Sequence, residues 1–240
     1  MASGGSFVVA APGDIAVNMD LISLHVPKCA GSSLRDALVC AYGQDRVFFD
    51  NADRLLDPMS PINIDRDAFL HKFASDRDSL LNGKCVVHGH FWMRKYHRLN
   101  ALRVTILRHP VDRLISHYLF WNHLPPHGHT LHDQFLAEKP SLTDFARMSC
   151  FRHFYSQVLF LDVDMSKFNL IGSIERMPET IARLENLTGR KLRLQKSNEN
   201  RCDHCRQERE KISEAPGLLA ALRDLLADDI AFYERHAHPR

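Results

Sequence analysis

A short apolar run, a turn of small residues and an amphipathic helix follow one another near the start of the sequence. Residues 21–26 read as a buried strand, and residues 27–33 form a turn rich in small side chains. The helical pattern that follows stops at Gly43, and its apolar positions are Leu34, Leu38 and Ala41. A strand, a tight turn and a helix in direct succession predict the first unit of an α/β fold.

The same alternation continues along the chain. Apolar runs at 85–87 and 102–107 predict two more buried strands, and each leads directly into a polar motif. A further strand is expected at 168–173, and helices are expected at 65–80, 110–119, 141–160, 175–187 and 216–235. We therefore predict an α/β, three-layer domain with a central, mostly parallel sheet and with ligands at the carboxyl ends of its strands.

Some stretches fall outside this alternation. Residues 44–82 are polar and, apart from one short helix, read as an insertion outside the core with no chemistry of its own. Residues 122–132 and 195–206 read as loops. Residues 1–19 show no sustained periodicity and predict a loose N-terminal leader, so a single domain is expected over residues 20–240.

Composition narrows the classes of function. The net charge is only +2, from 31 Lys and Arg against 29 Asp and Glu, which argues against a nucleic-acid partner. The longest early apolar run, at 7–11, is far shorter than the roughly 20 residues that span a bilayer, and no basic residue precedes it. We therefore expect no transmembrane segment or signal peptide and predict a cytoplasmic protein. The six cysteines are sparse and irregularly spaced, which predicts free thiols.

The turn after the first strand carries a motif suited to an anion, His25-Val26-Pro27-Lys28-Cys29-Ala30-Gly31-Ser32-Ser33-Leu34. Small side chains let backbone N–H groups approach an anion at a helix N-terminus, where the helix dipole favours negative charge. Lys28 and the hydroxyls of Ser32 and Ser33 add donors. The motif is not a Walker A loop, because its lysine precedes the glycine. For this segment alone, a plain turn with a serine cap is the alternative.

A second motif follows the strand at 102–107. Arg108 leaves the buried run, and Pro110 suits the first turn of the next helix. Ser116 lies further along that helix, so the arginine can hold a phosphate bidentately while the hydroxyl donates from the other side. Taken alone, this pattern is equally typical of a solvated surface arginine.

Together and in this order, the two motifs resemble those of the PAPS-dependent sulfotransferases. The closest resemblance is to the carbohydrate group that contains the heparan sulfate 2-O-sulfotransferases and their bacterial relatives. The matching segments run from His25 to Leu34 and from Leu107 to Ser116, with Cys29 in place of the usual threonine and Ala30 in place of the first glycine. The resemblance implies a P-loop NTPase-like sulfotransferase fold, with PAPS as sulfuryl donor and PAP as product.

The resemblance also implies roles for individual residues. It places the 5′-phosphosulfate at Lys28, Cys29, Ala30, Gly31, Ser32 and Ser33. The 3′-phosphate is expected at Arg108 and Ser116. Segment 196–201 corresponds to a family loop near the cofactor, which makes Arg201 a further candidate contact. Weaker similarities at 172–177 and 228–234 extend the resemblance over residues 20–236.

Between the two motifs lies His88-Gly89-His90. The resemblance implies that His90 is the catalytic base, and a neutral imidazole is well matched to removing a proton from a hydroxyl at about pH 7. Gly89 lets the backbone bend so that both rings face one cleft. We expect His88 to orient His90 or the acceptor, and Lys28 to stabilise charge on the leaving oxygens. The expected reaction is in-line transfer to a hydroxyl of a saccharide or glycan-like acceptor.

Other functions stay open on the residues alone. A nucleotide-dependent kinase would share the sheet but needs a Walker lysine followed by serine or threonine. A non-catalytic protein that binds PAP or another phosphorylated ligand would keep both motifs without aiming His88 or His90 into the cleft. The segment 202–205 has zinc-ligand spacing, but a second cysteine pair is missing, so no metal is expected. The histidine-rich stretch 123–132 is expected to form a lip over the acceptor site.

Overall fold

A central parallel sheet organises the protein. The computed structural model describes residues 19–194 and 203–237. Within these residues five strands form one sheet in the order β2-β3-β1-β4-β5, and every neighbouring pair is parallel. The strands are β1 (Leu21–Leu24), β2 (Val47–Phe49), β3 (Val86–Gly89), β4 (Leu102–Leu107) and β5 (Leu170–Ser173). The prediction of a mostly parallel sheet is confirmed.

Helices connect and cover the strands. Those of the first half are α1 (Gly31–Tyr42), α2 (Pro61–Ile64), α3 (Arg66–Leu80) and α4 (Pro110–His123). Those of the second half are α5 (Thr130–Glu138), α6 (Leu142–Arg147), α7 (Ser149–Arg152), α8 (Met177–Thr188), α9 (Asp203–Ser213), α10 (Pro216–Leu225) and α11 (Ala227–Ala237). A π-helical turn spans Phe154–Leu159, and a 3₁₀ turn spans Met93–Tyr96. No described helix has the length and apolar character needed to cross a membrane.

Alternate residues of the strands build a core on each face of the sheet, because successive side chains of a strand point to opposite faces. On one face Ile22 and Val87 belong to a buried cluster with Tyr96, Phe154 and Tyr233. On the other face the cluster is Leu21, Val86 and Val104 with Leu34, Leu38 and Leu184 from α1 and α8. Helical residues therefore cover both faces, which confirms the three-layer α/β arrangement.

The register of the central strands brings the sequence motifs to one edge. Leu24 of β1 is aligned with Gly89 of β3 and with Thr105 of β4. The residues that follow these strands are therefore neighbours at the carboxyl edge of the sheet, where α/β folds bind ligands. The anion motif, the histidine motif and the arginine motif all begin there.

The structure corrects the interpretation of residues 44–82 as an insertion without a role in the core. Val47 is buried, and β2 pairs with β3 at the edge of the sheet. A strand of three residues between polar flanks is too short to show periodicity, which is why the pattern did not reveal it. The helix expected at 65–80 is present as α3, with Asp65 accepting a hydrogen bond from the backbone N–H of Ala68.

Other boundaries also differ from the prediction. The helices expected at 141–160 are present as α6 and α7, but the segment ends in the π-helical turn. The loop expected at 122–132 is shorter, because α4 continues to His123 and α5 begins at Thr130. Cys29, Cys40, Cys85 and Cys150 are free thiols, as the spacing predicted. The pair proposed at 202–205 includes Cys202, which lies outside the described residues.

Candidate active site

The turn between β1 and α1 has an unusual backbone. Lys28 and Ala30 have φ angles of 69° and 58°, in the left-handed region that residues other than glycine rarely adopt. Within the described chain, no side chain caps α1 at Ala30, and no acidic residue lies in its first turn. The backbone amides at the start of α1 therefore keep their positive character, which suits an anion.

Two glycines allow close approaches at the carboxyl edge of the sheet. A Cβ atom on Gly31 would lie 1.8 Å from ring atoms of His25, so the imidazole rests directly against the start of α1. Gly89 has a φ of 155°, and a Cβ there would lie 2.0 Å from the carbonyl oxygen of Asp50. Both positions exclude larger side chains for steric reasons, and Gly89 also for its backbone conformation.

Three histidines form a stack at the carboxyl edge of the sheet. The ring of His25 lies 4.1 Å from that of His90 and 5.4 Å from that of His88, measured between centroids, with interplanar angles of 28° and 12°. His25 is part of the first sequence motif, but the sequence predicts no role for it. Its place in the stack comes from the pairing of β1 with β3, which no local pattern reveals.

Hydrogen bonds orient two of these rings. Nδ1 of His90 lies 2.7 Å from the carbonyl oxygen of His25. Because a carbonyl only accepts, Nδ1 carries the proton and Nε2 of His90 keeps its lone pair. Nδ1 of His88 lies 3.0 Å from Oγ of Ser23 on β1.

Burial keeps the three imidazoles neutral. It lowers the pKa of His88 to about 4, with a smaller contribution from His90. Burial also lowers the pKa of His90, and it holds the pKa of His25 well below the usual value, again with help from the neighbouring imidazoles. All three rings are therefore neutral imidazoles at neutral pH, which is the state a general base needs.

The segment after β2 holds the backbone of the histidine motif. The N–H of Asp50 donates to the carbonyl of His88 at 3.0 Å. The N–H of His90 donates to Oδ1 of Asn51 at 3.1 Å. Two residues further on, the N–H of Trp92 donates to Oδ2 of Asp53 at 2.7 Å. Three consecutive contacts thus fix the loop that carries His90, so residues 44–82, interpreted as having no chemistry of their own, support the candidate site.

A buried ion cluster anchors this segment. Nζ of Lys95 lies 2.5 Å from Asp50 and 2.7 Å from Asp53, and the hydroxyl of Tyr96 donates to Asp50 at 2.6 Å. Burial raises the pKa of Asp53, an effect that Lys95 opposes. The ring of Phe73, from α3, lies 4.5 Å from Nζ of Lys95, which adds a cation–π contact. The cluster therefore joins β2 and α3 to the turn that follows the histidine motif.

Tyr155 connects the two phosphate-type motifs. Its buried hydroxyl donates to the carbonyl of Arg108 at 2.7 Å and accepts from the N–H of Arg108 at 3.2 Å. The same oxygen lies 3.9 Å from Sγ of Cys29. Burial raises the pKa of Cys29 to about 12, so the thiol stays protonated and adds no negative charge to the site, while the backbone N–H of Cys29 donates to the carbonyl of Val26 at 3.1 Å. Asp229 of α11 holds Tyr155 by accepting its backbone N–H at 2.8 Å.

A group of cations faces the same edge. Nη1 of Arg108 lies 3.4 Å from the carbonyl oxygen of Lys28, and Nζ of Lys28 lies 3.9 Å from the centroid of the Phe120 ring. Burial, and then the nearby Arg108, lowers the pKa of Lys28 to about 8. Arg209 of α9 lies near Arg108: burial lowers the pKa of Arg209 most, and the charge of Arg108 lowers it further. Nη1 of Arg209 lies 3.4 Å from Oδ1 of Asp112. Sequence reasoning missed Arg209, because it lies in a run of charges typical of a solvated helix.

The structure places the other candidate residues as follows. Ser32 and Ser33 lie in the first turn of α1, and Ser116 is half-buried on α4. Arg201 lies outside the described residues. Arg113 of α4 is fully buried, with its guanidinium 3.9 Å from the centroid of the Phe154 ring. It therefore belongs to the core beneath the site rather than to its surface.

These features define an α/β protein with cationic side chains and neutral imidazoles at the carboxyl edge of its sheet, an arrangement suited to an anionic ligand. The chain belongs to the sulfotransferase family, whose model matches residues 14–234. It is therefore a sulfotransferase with an α/β sulfotransferase fold, as the motifs predicted. A search of curated proteins found no significant match.

Two solved sulfotransferase structures show similarity to this chain. It is similar to a sulfotransferase from Alicyclobacillus acidocaldarius at 14% identity and a TM-score of 0.37, over 88% of this chain and 96% of the other. It is also similar to the mouse sulfotransferase SULT7A1 complexed with PAP, at 10% identity and a TM-score of 0.37, over 82% of this chain and 64% of the other.

Proposed function

We propose that this sulfotransferase transfers a sulfuryl group from PAPS to a hydroxyl of a saccharide or glycan-like acceptor, with His90 as general base. The observation that carries the proposal is the neutral imidazole of His90, fixed through Nδ1 at 2.7 Å from the carbonyl of His25. Lys28 lies three residues after His25, on the turn that precedes α1. The imidazole of His90 and the ammonium of Lys28 therefore follow adjacent strands, which supports their use as base and cation.

The residues of the turn fit an anionic nucleotide. Lys28, Arg108 and Arg209 lie near one another, and Arg108 contributes to lowering the pKa of the other two. An anion among them relieves this repulsion, so the donor set favours a multiply charged ligand over a neutral one. When bound, PAPS supplies a sulfuryl group that is activated by its bond to a phosphate.

We assign the parts of the donor to residues in the same way as the motifs suggest. The 5′-phosphosulfate is held by Lys28, by the turn of Cys29, Ala30 and Gly31, and by Ser32 and Ser33. The 3′-phosphate is held by Arg108 and Ser116, and Arg209 is near enough to contribute charge. Arg201 stays a candidate contact beyond the described residues. The ammonium of Lys28 stabilises negative charge on the leaving oxygen, as fixed cations do in phosphoryl transfer.

The histidine stack supports the proton step. Nε2 of His90 accepts the proton of the acceptor hydroxyl, because Nδ1 is committed to the carbonyl of His25. His88, bonded to Ser23, keeps the stack in register from the strand side. Asn51 fixes the backbone of His90, so the base is positioned before an acceptor arrives. The saccharide class rests on the resemblance of the His-Gly-His motif to the carbohydrate group.

The donor is tested by calorimetric titration with PAP and, in parallel, with ADP, which lacks the 3′-phosphate. We expect PAP to bind more tightly than ADP, and the preference to collapse in Arg108→Ala. Arg147→Ala, at an arginine exposed on α6 with a 3.0 Å bond to Asp144, is the matched control and should change nothing. Equal binding of PAP and ADP would refute the PAPS assignment and favour a nucleotide kinase.

The base is tested by the turnover of PAPS with a panel of mono- and oligosaccharides. We expect His90→Ala to lose about 10²–10⁴-fold in turnover while PAP affinity stays near wild type. His71→Ala, at an exposed position on α3, is the control. Substantial activity in His90→Ala would show that another group accepts the proton. Tight PAP binding without turnover, on any hydroxyl acceptor tried, would support the non-catalytic binding protein instead.

A further inference from the structure

The connection between α4 and α5 brings together three side chains that are typical metal ligands. One nitrogen of His127, one nitrogen of His132 and a carboxylate oxygen of Asp133 all lie within 4.8 Å of one another. The rings of His127 and His132 are 4.8 Å apart between centroids. From the sequence, this histidine-rich stretch is predicted to form a lip over the acceptor site and to bind no metal. Its geometry suits a metal ion.

His132 has an unusual environment for a histidine that serves only packing. Its side chain is fully buried, and Nε2 lies 3.1 Å from the carbonyl oxygen of Trp121. Because the carbonyl only accepts, Nε2 carries the proton and Nδ1 presents a lone pair. Within the described part of the chain, this buried Nδ1 has no hydrogen-bond partner.

The lone pair of His132 faces a second acceptor. Nδ1 lies 3.9 Å from Oδ1 of Asp133, and this carboxylate oxygen is itself buried and makes no hydrogen bond to any described residue. Two buried acceptors that face each other are unfavourable unless a cation or a donor lies between them. This arrangement points to a ligand independently of the residue types.

The third candidate ligand, His127, lies at the surface, so a metal ion can reach the cluster from solvent. His127 is exposed, and its Nδ1 lies 3.3 Å from the carbonyl oxygen of Pro125, which leaves Nε2 with a lone pair. Backbone carbonyls thus fix the protonated nitrogen of both His127 and His132, as is usual for histidines that bind metals. Nη1 of Arg54 donates to the carbonyl of Gly128 at 3.1 Å and steadies the loop between them.

We propose that His127, His132 and Asp133 bind a zinc-class divalent metal ion, with water completing the coordination. Two imidazoles and one carboxylate suit Zn²⁺, whereas Mg²⁺ and Ca²⁺ prefer oxygen ligands only. Zinc ligands lie about 2.0–2.2 Å from the ion. The present separations therefore require the side chains to close by a small rotation around it. The site fixes the α4–α5 connection, at the end of the helix that carries the second motif, and takes no part in sulfuryl transfer.

The experiment is a titration of the full-length protein, freed of metal with a chelator, with Zn²⁺, Mg²⁺ and Ca²⁺. We expect one zinc ion to bind with micromolar or better affinity and to raise the melting temperature, while Mg²⁺ and Ca²⁺ do neither. His127→Ala and Asp133→Asn should each weaken zinc binding at least tenfold, because each removes one ligand. Both positions are at least partly exposed, so the variants should fold. His71→Ala and Asp76→Asn, exposed on α3, are the matched controls.

Cobalt substitution identifies the ligands, since the chain also contains cysteines. The proposal predicts a Co²⁺ spectrum without a thiolate charge-transfer band, and its loss in His127→Ala. A thiolate band that disappears in Cys202→Ser would place the metal elsewhere and overturn the assignment. Zinc binding that is unchanged in both ligand variants would mean an adventitious ion only, and absence of binding would refute the site outright.

Discussion

Replacing Lys95 by methionine removes the cation from the buried cluster that anchors the histidine loop. The side chains of Lys95, Asp50 and Asp53 are 3%, 4% and 0% exposed. Methionine fills similar volume, so the main effect is electrostatic, and two carboxylates are left without their counter-ion. Breaking a buried ion pair by removing one partner costs about 3–5 kcal/mol. For a chain of this size, 1 kcal/mol shifts Tm by about 2–4 °C, so we expect a loss near ~10 °C.

A surface pair in the same protein provides the control. Lys191 lies 3.1 Å from Glu185 but its side chain is 88% exposed, and such pairs contribute only about 0–1 kcal/mol. The assay is thermal unfolding of Lys95→Met, Lys191→Met and wild type, followed by tryptophan fluorescence. If Lys95→Met is no less stable than Lys191→Met, the argument from burial is wrong.

The pH dependence gives a second check on the same variant. Burial already raises the pKa of Asp53, and Lys95 opposes this effect. Without Lys95 the folded-state pKa rises further above the unfolded value, and an acid with a raised folded pKa loses stability as pH rises through that interval. The stability difference between Lys95→Met and wild type should therefore shrink as the pH falls from neutral toward the unfolded-state pKa of the carboxylate. A difference that grows in acid would contradict this assignment.

Three further outcomes are expected. Gly31→Ala should lower PAP affinity, because the new Cβ would lie 1.8 Å from the His25 ring and displace the turn at residues 27–33. Titration with PAP measures this effect, and unchanged affinity would count against the steric argument. PAP binding should take up a proton near pH 8, because the pKa of Lys28 is lowered to about 8 in the free protein and an anion raises it again. Calorimetry in two buffers with different ionisation enthalpies detects that proton, and identical heats in both buffers would exclude it. Asn51→Ala should lower kcat more than it changes PAP affinity, because it releases the backbone of His90, whereas Asn51→Asp should retain most of the activity.

The predictable part of the fold is the part where local pattern and tertiary structure agree. The strand, turn and helix at 21–43 were visible because apolar spacing, small residues and a terminal glycine all indicated the same structure. The strand β2 was missed, since three residues between polar flanks carry no periodicity. The contacts of Asp50 and Asp53 with Lys95 join residues more than 40 positions apart, so they depend on strand order, which the local sequence does not encode. The same holds for Arg209, which reaches the site only because α9 packs against α4.

The positions of the nearby carboxylates explain why Lys28 and Arg108 are available to a ligand. Glu175 accepts a hydrogen bond from the backbone N–H of His109 at 2.9 Å, and Asp229 accepts one from the backbone N–H of Tyr155 at 2.8 Å. These carboxylates therefore support the backbone of the motifs rather than neutralise Lys28 or Arg108. The ammonium of Lys28 instead lies over an aromatic ring, at 3.9 Å from the Phe120 centroid, a weaker partner than a carboxylate. Within the described residues, Lys28 and Arg108 form no ion pair with a carboxylate, so an incoming anion does not have to displace one, and this favours a multiply charged ligand.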